Sequence, residues 1–124
     1  MSEVLANLEH REEDKLPVNY STTEKVVGTW IDGKPLYEIT VDFGALPNAS
    51  AKTVNHGVTN IDKIVYGIAG AWGSNTYVPI PMVSMASSTD ATYWITATLI
   101  NITTESDRSA LNGYVTFRYT KTTD

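Results

Sequence analysis

No cysteine occurs in this 124-residue chain, so neither a disulfide framework nor a thiolate metal site can form. Histidine is nearly as scarce. His10 and His56 are the only two, and no H-x-x-x-H spacing exists to bring imidazoles onto one zinc ion. Cationic clusters are missing too: nine Lys and Arg are dispersed against fourteen Asp and Glu, for a formal charge of −5. An acidic chain without a basic stripe cannot neutralise phosphates, which argues against nucleic acid as a partner. No apolar run approaches the ~20 residues needed to cross a bilayer, so membrane insertion is not expected. The polar, acidic first residues are not those of an ordinary signal peptide. Also absent are G-x-S-x-G, G-x-x-x-x-G-K-[ST] and G-x-G-x-x-G. Neither a nucleophile elbow nor a nucleotide cradle can be named, and no catalytic residue, metal or cofactor is expected.

What is present describes a folded, β-rich domain. Hydrophobic residues make up 42% of the chain and charged ones 19%, a balance that can fill a core without staples. Thr, Val, Ile, Tyr and Trp dominate from Pro17 onward, and these suit a pleated, half-buried surface. The clearest signal is Lys25–Ile31 and Pro35–Phe43 flanking Asp32-Gly33-Lys34, a hairpin in which glycine supplies the positive φ of the turn. Further strands are expected over Lys52–His56, Lys63–Trp72 and Thr76–Val83, the last an edge or irregular strand because Pro79 and Pro81 cannot donate to a ladder. Thr92–Ile100 and Tyr114–Lys121 complete the set by alternation. A turn or single helical turn is expected at Thr59-Asn60-Ile61-Asp62 and a turn at Gly73-Ser74-Asn75, with polar connectors over Ser84–Asp90 and Glu105–Asn112. Short strands between turn signals imply an antiparallel β-sandwich, jelly-roll-like, over residues 17–124. Val27, Ile39, Val41, Ile64, Ile95, Leu99, Val115 and Phe117 are its expected core.

Residues 1–16 read differently, as a leader that is either a short helix or a frayed, tag-like lead-in. Ser2 can cap a short helix, Val4, Leu5 and Leu8 give one apolar stripe, and Pro17 ends it. A helix of about a dozen residues is marginal alone and needs a partner surface or other copies of itself.

The order STTEKVVGTWIDGKPLYE, FGALPN, VNHGVTNIDKIV and SDRSALNGYVTFRYTKTTD, spanning roughly Leu16 to Asp124, resembles a module at the C-terminal ends of bacteriophage and prophage structural proteins. Those proteins are tail-fibre, baseplate and head-fibre-like components that face the host. The resemblance implies a non-enzymatic virion part, assembled in the bacterial cytoplasm and exposed on the particle surface. It further implies a homotrimer joined to an upstream stalk or shaft, with a host cell-surface glycan as partner. A purely structural head-fibre, decoration or trimerisation module is the alternative, and a small glycan-degrading enzyme the third reading.

Two sets of residues bear on these readings. Glu38, Asp42, Asp62 and Asp90 are the carboxylates from which a glycosidase pair would be drawn, although Asp42 and Asp62 flank turns and Glu38 reads as solvent-facing on its strand. His56 in VNHG reads as a strand-end residue bonded to a loop backbone. The aromatic residues offer more. Three Trp and seven Tyr sit in a small chain, and sugars stack their C–H faces on such rings while polar neighbours fix orientation. Trp72 and Tyr77 bracket the Gly73-Ser74-Asn75 turn, and Asn75 and Asp90 are the expected polar partners of a ligand surface there. The competing reading makes these rings core or subunit-interface residues. The N-x-[ST] matches at Asn48 and Asn101 have no meaning outside a secretory pathway.

Overall fold

The computed structural model describes residues 19–83 and 89–124, and within them the chain is all-β. The strands are β1 (Lys25–Thr29), β2 (Pro35–Ala45), β3 (Ala51–Asn55), β4 (Ile61–Gly73), β5 (Thr76–Ile80), β6 (Ala91–Ile95), β7 (Leu99–Thr104) and β8 (Asn112–Lys121). They form two sheets, a five-stranded one in the order β1-β2-β8-β4-β5 and a three-stranded one in the order β3-β7-β6. Every pairing is antiparallel. One apolar cluster draws on both sheets, with Ile39, Phe43, Val115, Phe117 and Tyr119 from the larger and Ala91, Ile100 and Ile102 from the smaller.

β8 is the central strand of the five, and its alternation sets the packing. Val115, Phe117 and Tyr119 are fully buried on one face, while Tyr114 and Arg118 lie on the other. β4 runs beside it with the opposite distribution of bulk. Gly67, Ala69 and Ala71 pair with Phe117, Val115 and Gly113 on the core side, and Tyr66, Ile68 and Trp72 point away. Space explains the inversion: a Cβ on Gly67 would sit 3.2 Å from the Tyr93 hydroxyl and 3.6 Å from Ile95 Cδ1. The side chains of β6 already fill the volume that large residues on β4 would need.

Several sequence expectations require correction. Thr92–Ile100 is a hairpin, β6 and β7, rather than one strand. The turn has no Gly, Pro, Asn or Asp; Thr96 makes it, its N–H bonding the Leu99 carbonyl at 2.8 Å and its Oγ1 accepting the Leu99 N–H at 3.1 Å. Beyond that turn the inward set becomes Ile100 and Ile102, and Leu99 is only half-buried. Val27 is exposed, because the edge strand β1 bulges between Val26 and Gly28 and leaves Val27 without a register partner. Val41, Ile64 and Ile95 are partly buried against the core instead of lying within it. Ile31 belongs to the β1–β2 loop and is 91% exposed, and Ile61-Asp62 opens β4 instead of turning. The expected leader helix lies outside the described residues, as do residues 84–88 of the expected polar connector.

A polar knot ties the β1–β2 loop to the rest of the sheet. Asp62 Oδ2 accepts from Lys63 Nζ at 2.9 Å, Thr120 Oγ1 at 3.0 Å and Lys34 Nζ at 3.2 Å. Lys63 reaches on to Asp32 at 3.4 Å, and Asp32 Oδ1 caps the Lys34 N–H. These donors, Lys63 foremost, hold the Asp62 carboxyl at about 2, against an ordinary 3.8. A carboxyl depressed in the folded state contributes stability in full above its unfolded value and loses it as pH falls through the folded one. Stability measured by denaturant titration is therefore expected to decline between about pH 4 and about pH 2, and Asp62→Asn should flatten that decline. An unchanged pH slope in the variant would contradict the role given to Asp62.

Candidate functional site

The face of the five-stranded sheet turned away from the core carries the candidate site, and its focus is the β4–β5 hairpin. Ser74 and Asn75 form a two-residue turn with φ of 50° and 58°, the left-handed pair that matches strand twist in tight hairpins. Gly73 is required just before it, since a Cβ there would lie 2.3 Å from the Ala110 carbonyl oxygen. The turn places Trp72 directly opposite Tyr77. Both rings are open to solvent, at 56% and 61% exposure. Tyr77 leans diagonally over Gly70, where an added Cβ would be 2.7 Å from its Cε1 atom. The missing side chain at Gly70 is thus the seat of the Tyr77 ring.

The aromatic surface extends well beyond this pair. Ile68 and Tyr66 continue it along β4, Tyr114 adds a ring from β8, and Tyr20 arrives from the chain ahead of β1. Tyr20, Thr40, Ile68, Tyr114 and Thr116 line a shallow cavity of about 300 Å³. On its floor the Thr40 and Thr116 hydroxyls bond each other at 2.8 Å, which leaves the floor largely apolar in character. At the far end the Arg118 guanidinium lies 4.9 Å from the centroid of the Tyr66 ring and donates through Nε to Glu38 Oε2 at 2.8 Å. Glu38 is 1% exposed rather than solvent-facing, and its other oxygen has no hydrogen-bond partner among the described residues.

The residues expected to bind a ligand fall into two groups. Trp72, Tyr77 and Asn75 sit together at the hairpin tip. Asp90 stands apart from them in the chain's path, just ahead of β6, where its carbonyl accepts the Glu105 N–H. The neighbouring Thr89 carbonyl accepts from Arg108 Nη2 at 3.3 Å. Arg108 lines a cleft of about 180 Å³ with Gly73 and Ser74, so this arginine links the Asp90 region to the hairpin tip. The other carboxylates hold structural partners: Asp42 Oδ1 caps the Gly44 N–H, Glu38 binds Arg118, and Asp62 anchors the lysine knot.

His56 closes β3 and binds two backbones. Nδ1 accepts the Val58 N–H at 3.1 Å, and Nε2 faces the Thr96 carbonyl at 2.9 Å, which fixes the proton on Nε2. It borders a cavity of about 320 Å³ with Glu24 and Lys121. Both oxygens of Glu24 are engaged there, one by the Tyr119 hydroxyl and one by Lys121 Nζ at 2.7 Å. Burial first, and Glu24 second, push the Tyr119 phenol far above its ordinary range. With Glu24, Lys121 and His56 all engaged by groups of the fold, this cavity reads as a braced seam. Among the described residues, no group of three or more His, Asp or Glu is placed to hold a metal ion.

The chain matches no family model, no curated protein and no solved structure.

Tyr20, Tyr66, Ile68 and Tyr114 were not singled out by sequence, although one signal was present. From Tyr66 onward in β4, Tyr66, Ile68 and Trp72 occupy one parity and Gly67, Ala69 and Ala71 the other; read with Val115-Thr116-Phe117 in β8, this marks the large side chains of that stretch as outward. The two glycines of the hairpin give a direct check. Gly70→Ala should only swing the Tyr77 ring into solvent, changing stability by within ~0.5 kcal/mol. Gly73→Ala meets backbone and should cost ~1–3 kcal/mol. Thermal melts in which Gly70→Ala is the more damaging would contradict this placement of Tyr77.

Proposed function

We propose that this chain is a non-enzymatic, host-facing module of a bacteriophage or prophage particle, the head of a tail fibre or baseplate appendage that binds carbohydrate on the host cell surface. The observation that carries the reading is the Trp72–Tyr77 pair, two solvent-open rings held side by side at a rigid hairpin tip with Asn75 between them in sequence. Rigid, pre-placed rings stack on sugar faces with little loss of conformational entropy, and the Asn75 amide offers both a donor and an acceptor for hydroxyls. The resemblance to phage structural modules supports the same direction. In this reading the two sheets with their shared core are the layers of a β-sandwich, jelly-roll-like, and the domain assembles as a homotrimer on a stalk at the virion surface. Three copies would turn weak single-site sugar binding into useful avidity.

A purely structural module is the second reading, favoured by the length of the aromatic face, which runs past the hairpin to Ile68, Tyr114 and Tyr66. Such a face also suits a subunit contact. One variant separates the two. Trp72→Ala should leave the assembly mass unchanged by light scattering while weakening cell adsorption or glycan-array binding by ~1–3 kcal/mol, about ten- to a hundredfold. Dissociation of the assembly would favour the structural module. A variant that stays assembled and adsorbs normally would remove Trp72 from both roles.

A further inference from the structure

Arg108 gains little from the fold that holds it. Its Nε–H is buried and meets no acceptor among the described residues. Nη2 makes one long bond, 3.3 Å to the Thr89 carbonyl, and no ion pair joins the guanidinium to a carboxylate among the described residues. Arg118, by contrast, gives its Nε–H to Glu38 at 2.8 Å. A guanidinium carries five N–H donors, so the edge formed by Nη1 and the second Nη2 proton is unspent, and Nη1 is reached by solvent. A buried donor without an acceptor costs stability, and an aliphatic residue would fill the same place without that cost. The use of the guanidinium therefore lies on its outer edge. Arg108 lines the cleft of about 180 Å³ together with Ser74, Thr76, Val78, Asp107 and Leu111. Thr76 and Val78 alternate with Tyr77 along β5, so the cleft lies on the opposite face of the hairpin from the Trp72–Tyr77 pair. Its walls are fixed. The Arg108 N–H bonds the Pro47 carbonyl at 3.1 Å, the Leu111 N–H bonds the Arg108 carbonyl at 2.9 Å, and the Ala110 carbonyl approaches Gly73 too closely for a Cβ.

We infer that this cleft is a second sugar subsite for the hydroxyls of one neutral unit, and that the ligand is an oligosaccharide running from the ring pair over the Ser74-Asn75 turn into the cleft. The inference rests on the carbohydrate reading above and extends it from one stacking contact to a chain of sugars. A hydroxyl needs both an acceptor and a donor, and the two charged residues of the cleft divide these roles. Arg108 supplies the donors. Asp107 supplies acceptors: its Oδ1 takes the Ser109 N–H at 3.0 Å and the Ser109 hydroxyl at 2.6 Å, while Oδ2 has no hydrogen bond among the described residues. The Ser109 hydroxyl first, and its N–H second, hold the Asp107 carboxyl below its ordinary range, so it is ionised at neutral pH. Charge excludes the acidic alternative. One cation and one carboxylate line the cleft, and Asp90 follows the Thr89 that binds Arg108, so an anionic sugar would gain no net attraction. Size sets the limit at a single ring, since pockets for drug-sized ligands begin at ~300 Å³. Val78 and Leu111 add apolar surface for a C–H face, and Asn75 stands on the turn between the two subsites. Joining two weak subsites through one ligand raises affinity well above that of either alone.

Arginine is scarce enough to make the test direct. Arg11, Arg108 and Arg118 are the only three, and each has one Nε–H signal in a nuclear magnetic resonance spectrum. The full chain is titrated with neutral O-antigen oligosaccharides one to four units long. The longest should shift the Arg108 Nε–H and the Trp72 indole N–H with a common midpoint, at least ~10-fold tighter than the single sugar, and leave Arg118 in place. Asp107→Asn, which keeps an acceptor for Ser109, should lose that gain with length and retain the Trp72 shift. Arg108→Met should do the same. A Trp72 shift with Arg108 unmoved in the parent chain would overturn the subsite and leave the ring-pair reading intact. An Arg108 shift with Trp72 unmoved would overturn the path across the turn and take the rings out of the proposed function. Silence at both positions would overturn the subsite and the carbohydrate reading together. Tighter binding of a glucuronate-containing oligosaccharide of equal length would overturn the assignment of a neutral unit to the cleft.

Discussion

The inward row of β8 is the constraint on which the rest of the structure depends. Val115, Phe117 and Tyr119 occupy the middle of the shared core with no solvent exposure, and β8 bonds to β2 on one side and β4 on the other. Three large side chains in that row, with Tyr93 and Ile95 arriving from β6, leave little room beside them. Beyond the bulge between Ile64 and Tyr66, β4 therefore turns Gly67, Ala69 and Ala71 inward, while Tyr66, Ile68 and Trp72 face outward. The aromatic surface is a consequence of how the core is filled. Replacing β4's small inward residues with larger ones would strain the interior, typically by ~1–3 kcal/mol per overpacked site, so the inward pattern of β4 is tightly restricted.

A second consequence concerns rigidity. A candidate surface on loops would have to be ordered on binding, whereas this candidate surface is mounted on paired strands and a two-residue turn. The Trp72–Tyr77 register is set by the ladder from Ala69–Ile80 to Gly73–Thr76, and the Tyr77 ring is seated by the gap at Gly70. The far end of the five-stranded sheet is braced by polar contacts instead: Glu24 with Tyr119 and Lys121, and Asp62 with Lys34, Lys63 and Thr120. The exposed ion pairs there are individually weak, and their worth lies in joining loop, β4 and β8 at shared carboxylates.

Legibility in the sequence followed the strength of local chemistry. Asp32-Gly33 gave away the first hairpin because Gly33 must adopt positive φ, and Ser74-Asn75 gave away the second for a similar reason. The β6–β7 turn was hidden, since Thr96 builds it with a hydroxyl and none of the usual turn residues mark it. That omission reversed the inward parity after residue 98 and put Leu99 in the expected core in place of Ile100 and Ile102. Val27 was misplaced because a bulge in an edge strand leaves no trace in alternation. Of the candidate site, the hairpin pair was legible from its turn. Tyr114 and Tyr20 join that face only through strand order, β2 beside β8 beside β4, which a single sequence does not state.

Three tryptophans in different settings allow the central claim to be tested in one experiment. Trp30 lies in the β1–β2 loop, Trp94 on the outer side of the three-stranded sheet and Trp72 on the aromatic face. Each contributes one indole N–H signal to a nuclear magnetic resonance spectrum. If the outward face of the five-stranded sheet is the working surface, titration with bacterial cell-surface oligosaccharides should shift the Trp72 signal and leave those of Trp30 and Trp94 in place. Movement of Trp94 or Trp30 with Trp72 unchanged would place the working surface elsewhere on the domain and contradict the claim.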